Sequence, residues 1–88
     1  MEIPLLKSLL NRGFFIVYKE KDKFITLENP KTNITIKIID YGNEFLQTSF
    51  TKDLNIGSCG FINISYNTYS DFLNNYEKTL TFLENVNW

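Results

Sequence analysis

A run of isoleucines constrains this chain more than any other feature. Ile34-Thr35-Ile36-Lys37-Ile38-Ile39 alternates apolar and polar side chains, and it leads through Asp40-Tyr41-Gly42-Asn43 into Glu44-Phe45-Leu46-Gln47-Thr48-Ser49-Phe50. Two β-rich runs around a Gly-Asn turn form a β-hairpin. Ile34, Ile36 and Ile38 share one face of the first arm, because side chains alternate across a strand. A turn of odd length places Leu46, Thr48 and Phe50 on that face, whereas an even turn places Phe45, Gln47 and Ser49 there. The odd turn separates apolar from polar better. The expectation is therefore a three-residue turn with Gly42 or Asn43 at positive φ.

The hairpin needs partners. Ile3, Leu6 and Leu10 recur at helical spacing with Leu5 and Leu9 beside them, which predicts an amphipathic helix over Glu2–Arg12 with Pro4 in its first turn. Gly13 follows where a left-handed residue ends a helix. Phe14–Tyr18 is an expected strand with apolar residues on both faces, either covered on both sides or presenting an exposed patch. Lys19-Glu20-Lys21-Asp22 reads as a solvated connection, Phe24–Glu28 as a strand, and Asn29–Asn33 as a turn around Pro30. Thr51–Gly60 reads as the longest irregular stretch and Phe61–Tyr66 as a weaker fifth strand. Thr68 to Val86 is a long helix, with Thr68 and Asp71 resembling a capping box. Its expected buried stripe is Tyr69, Phe72, Leu73, Tyr76, Leu80 and Leu83. Trp88 is expected to fray.

The order is helix, four or five strands, helix. Mostly short connections imply an antiparallel meander. Two apolar helix stripes are served most economically by packing both helices on one sheet face. The expected fold is thus a two-layer α+β domain spanning 1–88. An 88-residue chain has room for one modest core.

Composition excludes several chemistries. The sequence holds no histidine, so Ser-His-Asp and Cys-His catalysis are ruled out, together with every His-containing metal site. The single Cys59, in Gly57-Ser58-Cys59-Gly60, makes neither an internal disulfide nor a structural zinc site, and an inert thiol is the preferred reading. That segment lacks the Gly-Lys-Ser/Thr ending of a phosphate loop. Asp40 and Glu44, and Glu20, Asp22 and Glu28, read as solvated turn carboxylates rather than a catalytic pair. No cofactor is implied. With 9 basic and 10 acidic residues the net charge is −1, without the basic excess that phosphate binding requires, so no direct nucleic-acid partner is expected. Phe14, Phe15 and Phe24 lack the glycine and basic residues of a base-stacking strand and are assigned to the core. Met-Glu-Ile-Pro shows no signal peptide, and no apolar run reaches membrane-spanning length. A cytoplasmic location and no membrane partner are therefore expected. The chain has no alanine and one arginine, Arg12, against eight lysines, the bias expected of an AT-rich genome such as that of a low-GC bacterium or its phage.

What remains is surface for a larger protein partner. The expected protein-binding residues are Tyr41, Asn43 and Glu44 at the hairpin tip, Gln47 on the polar second arm, which could lie at or near a sheet edge, and Asp53 and Asn55 in the irregular stretch. Tyr supplies contact area at low entropic cost.

A short amphipathic helix over Leu5–Asn11, a small antiparallel sheet, an isoleucine-rich strand meeting Gly42-Asn43-Glu44-Phe45, and a terminal helix complete the layout. In this it resembles the small phage-encoded anti-CRISPR proteins, in particular those that inhibit type II-A effectors. The resemblance spans roughly half the chain and implies a non-catalytic inhibitor that blocks a larger host defence enzyme, a nuclease, in the host cytoplasm. Those inhibitors commonly occlude a DNA-binding surface with acidic residues, whereas charges here are nearly balanced. Size and layout also resemble bacterial immunity proteins that neutralise a cognate toxin. A third alternative is a small enzyme or ligand-binding module using Cys59 or a carboxylate pair. A homodimer through an edge strand is compatible with the sequence.

Overall fold

The computed structural model describes residues 6–20, 23–42, 45–54 and 60–86. Helix α1 (Leu6–Asn11) precedes five strands, β1 (Phe15–Glu20), β2 (Phe24–Asn29), β3 (Ile34–Gly42), β4 (Phe45–Asp53) and β5 (Phe61–Thr68), and helix α2 (Tyr69–Glu84) ends the chain. The strands form one antiparallel sheet in the order β1-β2-β3-β4-β5, the expected meander.

The central register follows the polarity of the sequence. Ile36 lies opposite Phe50, Ile38 opposite Thr48 and Asp40 opposite Leu46. Ile34, Ile36, Ile38, Leu46, Thr48 and Phe50 are all buried, the facing expected of an odd turn, but Gly42 pairs with Phe45 across two residues rather than the expected three, and an irregularity in the ladder restores the parity. The ladder shifts by one residue between Asp40 and Gly42, where Gly42 adopts φ +82° and its N–H donates to Asp40 Oδ1 at 2.8 Å. Asn43 and Glu44 lie outside the described residues.

The core is one cluster beneath the helices. Ile25 and Leu27 continue the isoleucine face onto β2, and Ile62, Ile64 and Tyr66 continue it onto β5. On β5 exposure alternates strictly, as for a strand covered on one face only. Phe72 sits within 6.0–6.4 Å, centroid to centroid, of Phe50, Tyr69 and Tyr76 and anchors α2 on the sheet. Thr68 caps α2 by accepting from Asp71 N–H at 3.1 Å. At the other end Lys52 Nζ donates to Leu83 O at 2.6 Å, sharing with Val86 N–H, at 3.4 Å, a carbonyl of the last helical turn.

Helix α1 ends in a Schellman motif. Phe14 N–H donates to Leu9 O and Gly13 N–H to Leu10 O, each at 3.2 Å, with Gly13 at φ +98°. Leu9 and Phe14 are both buried there, supplying the apolar contact of that motif.

Several expectations need correction. Of the helix expected over Glu2–Arg12, residues 2–5 lie outside the described residues, the helix itself is Leu6–Asn11, and Arg12 already belongs to the turn. Leu10 is exposed; the six-residue helix turns Leu9 inward instead. Lys19 and Glu20 are not a connection but the end of β1, paired with Ile25 and Phe24. Asn29 is the last residue of β2 and is buried. Thr51–Asp53 are ladder residues of β4, because β5 returns alongside and pairs them with Asn63, Ile62 and Phe61; residues 55–59, Cys59 among them, lie outside the described residues. The polar arm Gln47-Thr48-Ser49 does not form an edge; β4 is the strand next to the edge strand β5. On α2, Leu73 is exposed and Thr79 is buried in the stripe, where its hydroxyl meets Tyr66 Oη at 2.6 Å. Trp88 lies outside the described residues.

Candidate protein-binding surface

The helices cover one face of the sheet, and the other face carries the surface chemistry. Pairing defines its rows. Tyr18, Thr26, Lys37, Ser49 and Ser65 lie across the middle, and Glu28, Thr35, Thr51 and Asn63 lie beside them. These rows are polar, and Asn63 Oδ1 accepts from both Ser49 Oγ at 2.9 Å and Ser65 Oγ at 3.2 Å. The row nearest the β3–β4 hairpin tip differs: it holds Phe24, Ile39 and Gln47.

Tyr18 crosses diagonally onto that row. Its ring meets Phe24 edge-on with centroids 5.6 Å apart, a favoured aromatic geometry. On the other side Tyr41 Oη donates to Gln47 Oε1 at 3.2 Å. An apolar strip therefore runs from Tyr18 through Phe24 and Ile39 to Tyr41. Phe24 is thus a half-buried member of the open face rather than a core residue.

The strip opens onto β1, which is one edge of the sheet. All six residues of β1 are exposed. Phe15, Ile16, Val17 and Tyr18 are 40–54% accessible, although all four are apolar or aromatic. Phe15, assigned to the core from its residue type, is among them. The cause is the strand order. Helix α2 packs against β4 and β5, at the opposite side of the sheet. A β-bulge between Ile16 and Tyr18 further shifts the ladder. Contiguous exposed apolar surface of this kind marks an interaction site more often than scattered single residues do.

The expected binding residues are only partly gathered. Tyr41 is 65% exposed and joined to the half-buried Gln47. Asp53 lies six residues further along β4, about 20 Å away at the rise of a strand. It is exposed, opposite Phe61, and its N–H donates to Asn33 O at 3.1 Å. Asn43, Glu44 and Asn55 lie outside the described residues. The exposed apolar residues Phe15, Ile16, Val17 and Tyr18 were not among those expected to bind. Their signal was present as an unbroken apolar run ending in Lys19-Glu20, but the run alone does not say whether a second layer covers it.

At the start of β1 lies an open cavity of about 530 Å³ lined by the end of α1, the start of β1 and the β2–β3 turn with the residue before it, including Leu10, Arg12, Phe15, Asn29, Pro30 and Lys31. Arg12 Nη2 donates to Glu84 Oε1 at 3.2 Å, with both side chains about one-third accessible. Among the described residues no three of His, Cys, Asp and Glu stand close enough to share a metal ion, and no helix is long and apolar enough to cross a membrane. No protein-family profile, curated protein or solved structure matches this chain.

Proposed function

We propose that this chain is a non-catalytic protein-binding inhibitor of the anti-defence kind, acting by occupying the surface of a larger host enzyme such as a nuclease. The observation that carries the proposal is the β1 edge, uncovered among the described residues, where four consecutive exposed apolar residues continue into the strip Tyr18–Phe24–Ile39–Tyr41. A free protein exposes such surface at a cost that a partner removes, because burying apolar area on association is favourable. A net charge of −1 gives no general attraction to phosphate backbones, which directs the surface towards protein. The absence of histidine from the sequence and a single cysteine support a binding role over a catalytic one.

The test is capture of candidate nucleases, presented singly and in host lysate, by the immobilised chain and by Val17→Lys. Val17 is 46% exposed, so the substitution leaves the core untouched. A nuclease retained by the parent chain and lost at least tenfold in the variant, with unchanged circular dichroism, is the expected result. No partner retained at micromolar concentration, or equal retention by both proteins, would sink the proposal.

A further inference from the structure

The β1 edge and the cavity at its start are joined through one buried side chain. Asn29 is 4% exposed. Its Nδ2 donates to Arg12 O at 3.2 Å and its Oδ1 accepts from Lys31 N–H at 3.1 Å. One amide thus fixes the backbones of the two cationic residues that line the cavity. Glu84 engages Nη2 of Arg12, and among the described residues no other acceptor meets the guanidinium. Among those residues Nε is buried without a partner, and Arg12 together with the exposed Lys31 outweighs the single Glu84 carboxylate, a local excess of positive charge beside Leu10, Phe15 and Pro30.

The edge beside it can take a strand. Alternate residues of an edge strand turn their N–H and C=O groups away from the sheet, and an extended peptide can pair with them. The bulge at Val17 and the charged Lys19 and Glu20 blunt indiscriminate pairing, as such devices do on natural edges. Selective pairing therefore requires an anchor, and the anchor lies at the Phe15 end. Charge sets the direction. A parallel peptide would bring its ammonium terminus to Arg12 and Lys31 and be repelled. An antiparallel peptide would bring its carboxylate there.

We infer that β1 accepts the C-terminal segment of a protein partner as an antiparallel sixth strand, with its terminal carboxylate seated between Arg12 and Lys31. The inference rests on the protein-binding reading above and names the part of the partner that docks. Six residues of β1 span about 20 Å, enough for a C-terminal hexapeptide. Side chains of the peptide would meet Phe15 and Tyr18 on the open face and Ile16 on the helix side. A carboxylate suits the site because hydrogen bonds to ionised groups are about twice as strong as neutral ones.

The test uses an array of fluorescein-labelled hexapeptides with apolar residues at alternate positions, each made as the free acid and as the C-terminal amide. Binding to the full chain is read by anisotropy, and the site by amide shifts of the 15N-labelled protein. Expected is a subset of free acids that bind, weaken about tenfold to a hundredfold on amidation, and shift Phe15–Tyr18 and Lys31. Lys31→Gln, at an exposed turn position, should weaken the same acids and leave the amides unchanged. Acids and amides that bind alike, no binding by any acid, or shifts confined to Tyr41 and Gln47 would overturn the inference. If that happens while Val17→Lys still abolishes capture of a nuclease, the docking mode fails and the inhibitor reading stands.

Discussion

Two buried threonines offer a comparison in which one chemical change should have opposite signs. Thr48 is fully buried on β4, opposite Ile38 and Tyr66, and among the described residues its Oγ1 has no hydrogen-bond partner. Thr79 is buried on α2, and its Oγ1 donates to Asn75 O at 2.9 Å and meets Tyr66 Oη at 2.6 Å. Valine replaces the hydroxyl by a methyl of similar volume. At position 48 it relieves an unpaired buried hydroxyl, whose desolvation costs roughly 1–3 kcal/mol. Part of that is offset by imperfect fit, so Thr48→Val should stabilise by about 1 kcal/mol. At position 79 the same change removes two bonds worth roughly 0.5–1.5 kcal/mol each. Tyr66 is only partly buried, so its hydroxyl can rehydrate, and Thr79→Val should destabilise by about 1–2 kcal/mol. In a domain of this size 1 kcal/mol corresponds to roughly 4–8 °C in Tm. The assay is reversible urea unfolding followed by far-ultraviolet circular dichroism, supported by thermal melts. If both variants move the same way, or if Thr48→Val destabilises by more than about 1 kcal/mol, the assignment of satisfied and unsatisfied hydroxyls is wrong.

Other outcomes follow from the same contacts. Phe72→Ala empties the centre of the ring cluster formed with Phe50, Tyr69 and Tyr76 and should cost roughly 3–5 kcal/mol, enough to leave much of the chain unfolded at 37 °C by circular dichroism. Lys52→Met keeps the stem and removes the donor to Leu83 O and Val86 O, so stability should fall by about 1 kcal/mol, with hydrogen exchange accelerated first in the last turn of α2. Gly42→Ala meets nothing within 4 Å but must adopt φ +82°, so it should cost about 1–2 kcal/mol through backbone strain alone, seen as a lower urea midpoint at unchanged slope.

Local rules made much of this fold legible before any coordinates. The polarity of Ile34–Ile38 and Leu46–Phe50 decided the hairpin parity, since a one-residue slip would have turned Thr48 and Phe50 away from the isoleucines. Gly13 marked the end of α1 because its φ of +98° is strained for other residues, and a Cβ there would stand 3.1 Å from Asn29 Nδ2. Thr68 marked the start of α2 through a bond three residues long. Each of these depends on residues close in the chain.

The exposed apolar face of β1 did not follow from such rules. Periodicity reports which side chains share a face, but it does not report whether another layer lies on that face. Phe15 and Phe14 are neighbours of the same type, yet one is half exposed and the other buried, because β1 lies at the sheet edge away from α2. Leu73, expected in the buried stripe of α2, is exposed, and Thr79 is buried there instead, held against Tyr66, because α2 packs on β4 and β5. Asn29 became a buried bridge between Arg12 and Lys31 only when α1 and the β2–β3 turn were brought together. By itself the sequence determined a helix, an antiparallel meander and a second helix, since hydrogen bonding and alternation act along the chain. Which apolar strand stayed uncovered, and which cations came to stand beside it, was decided by packing between elements distant in sequence.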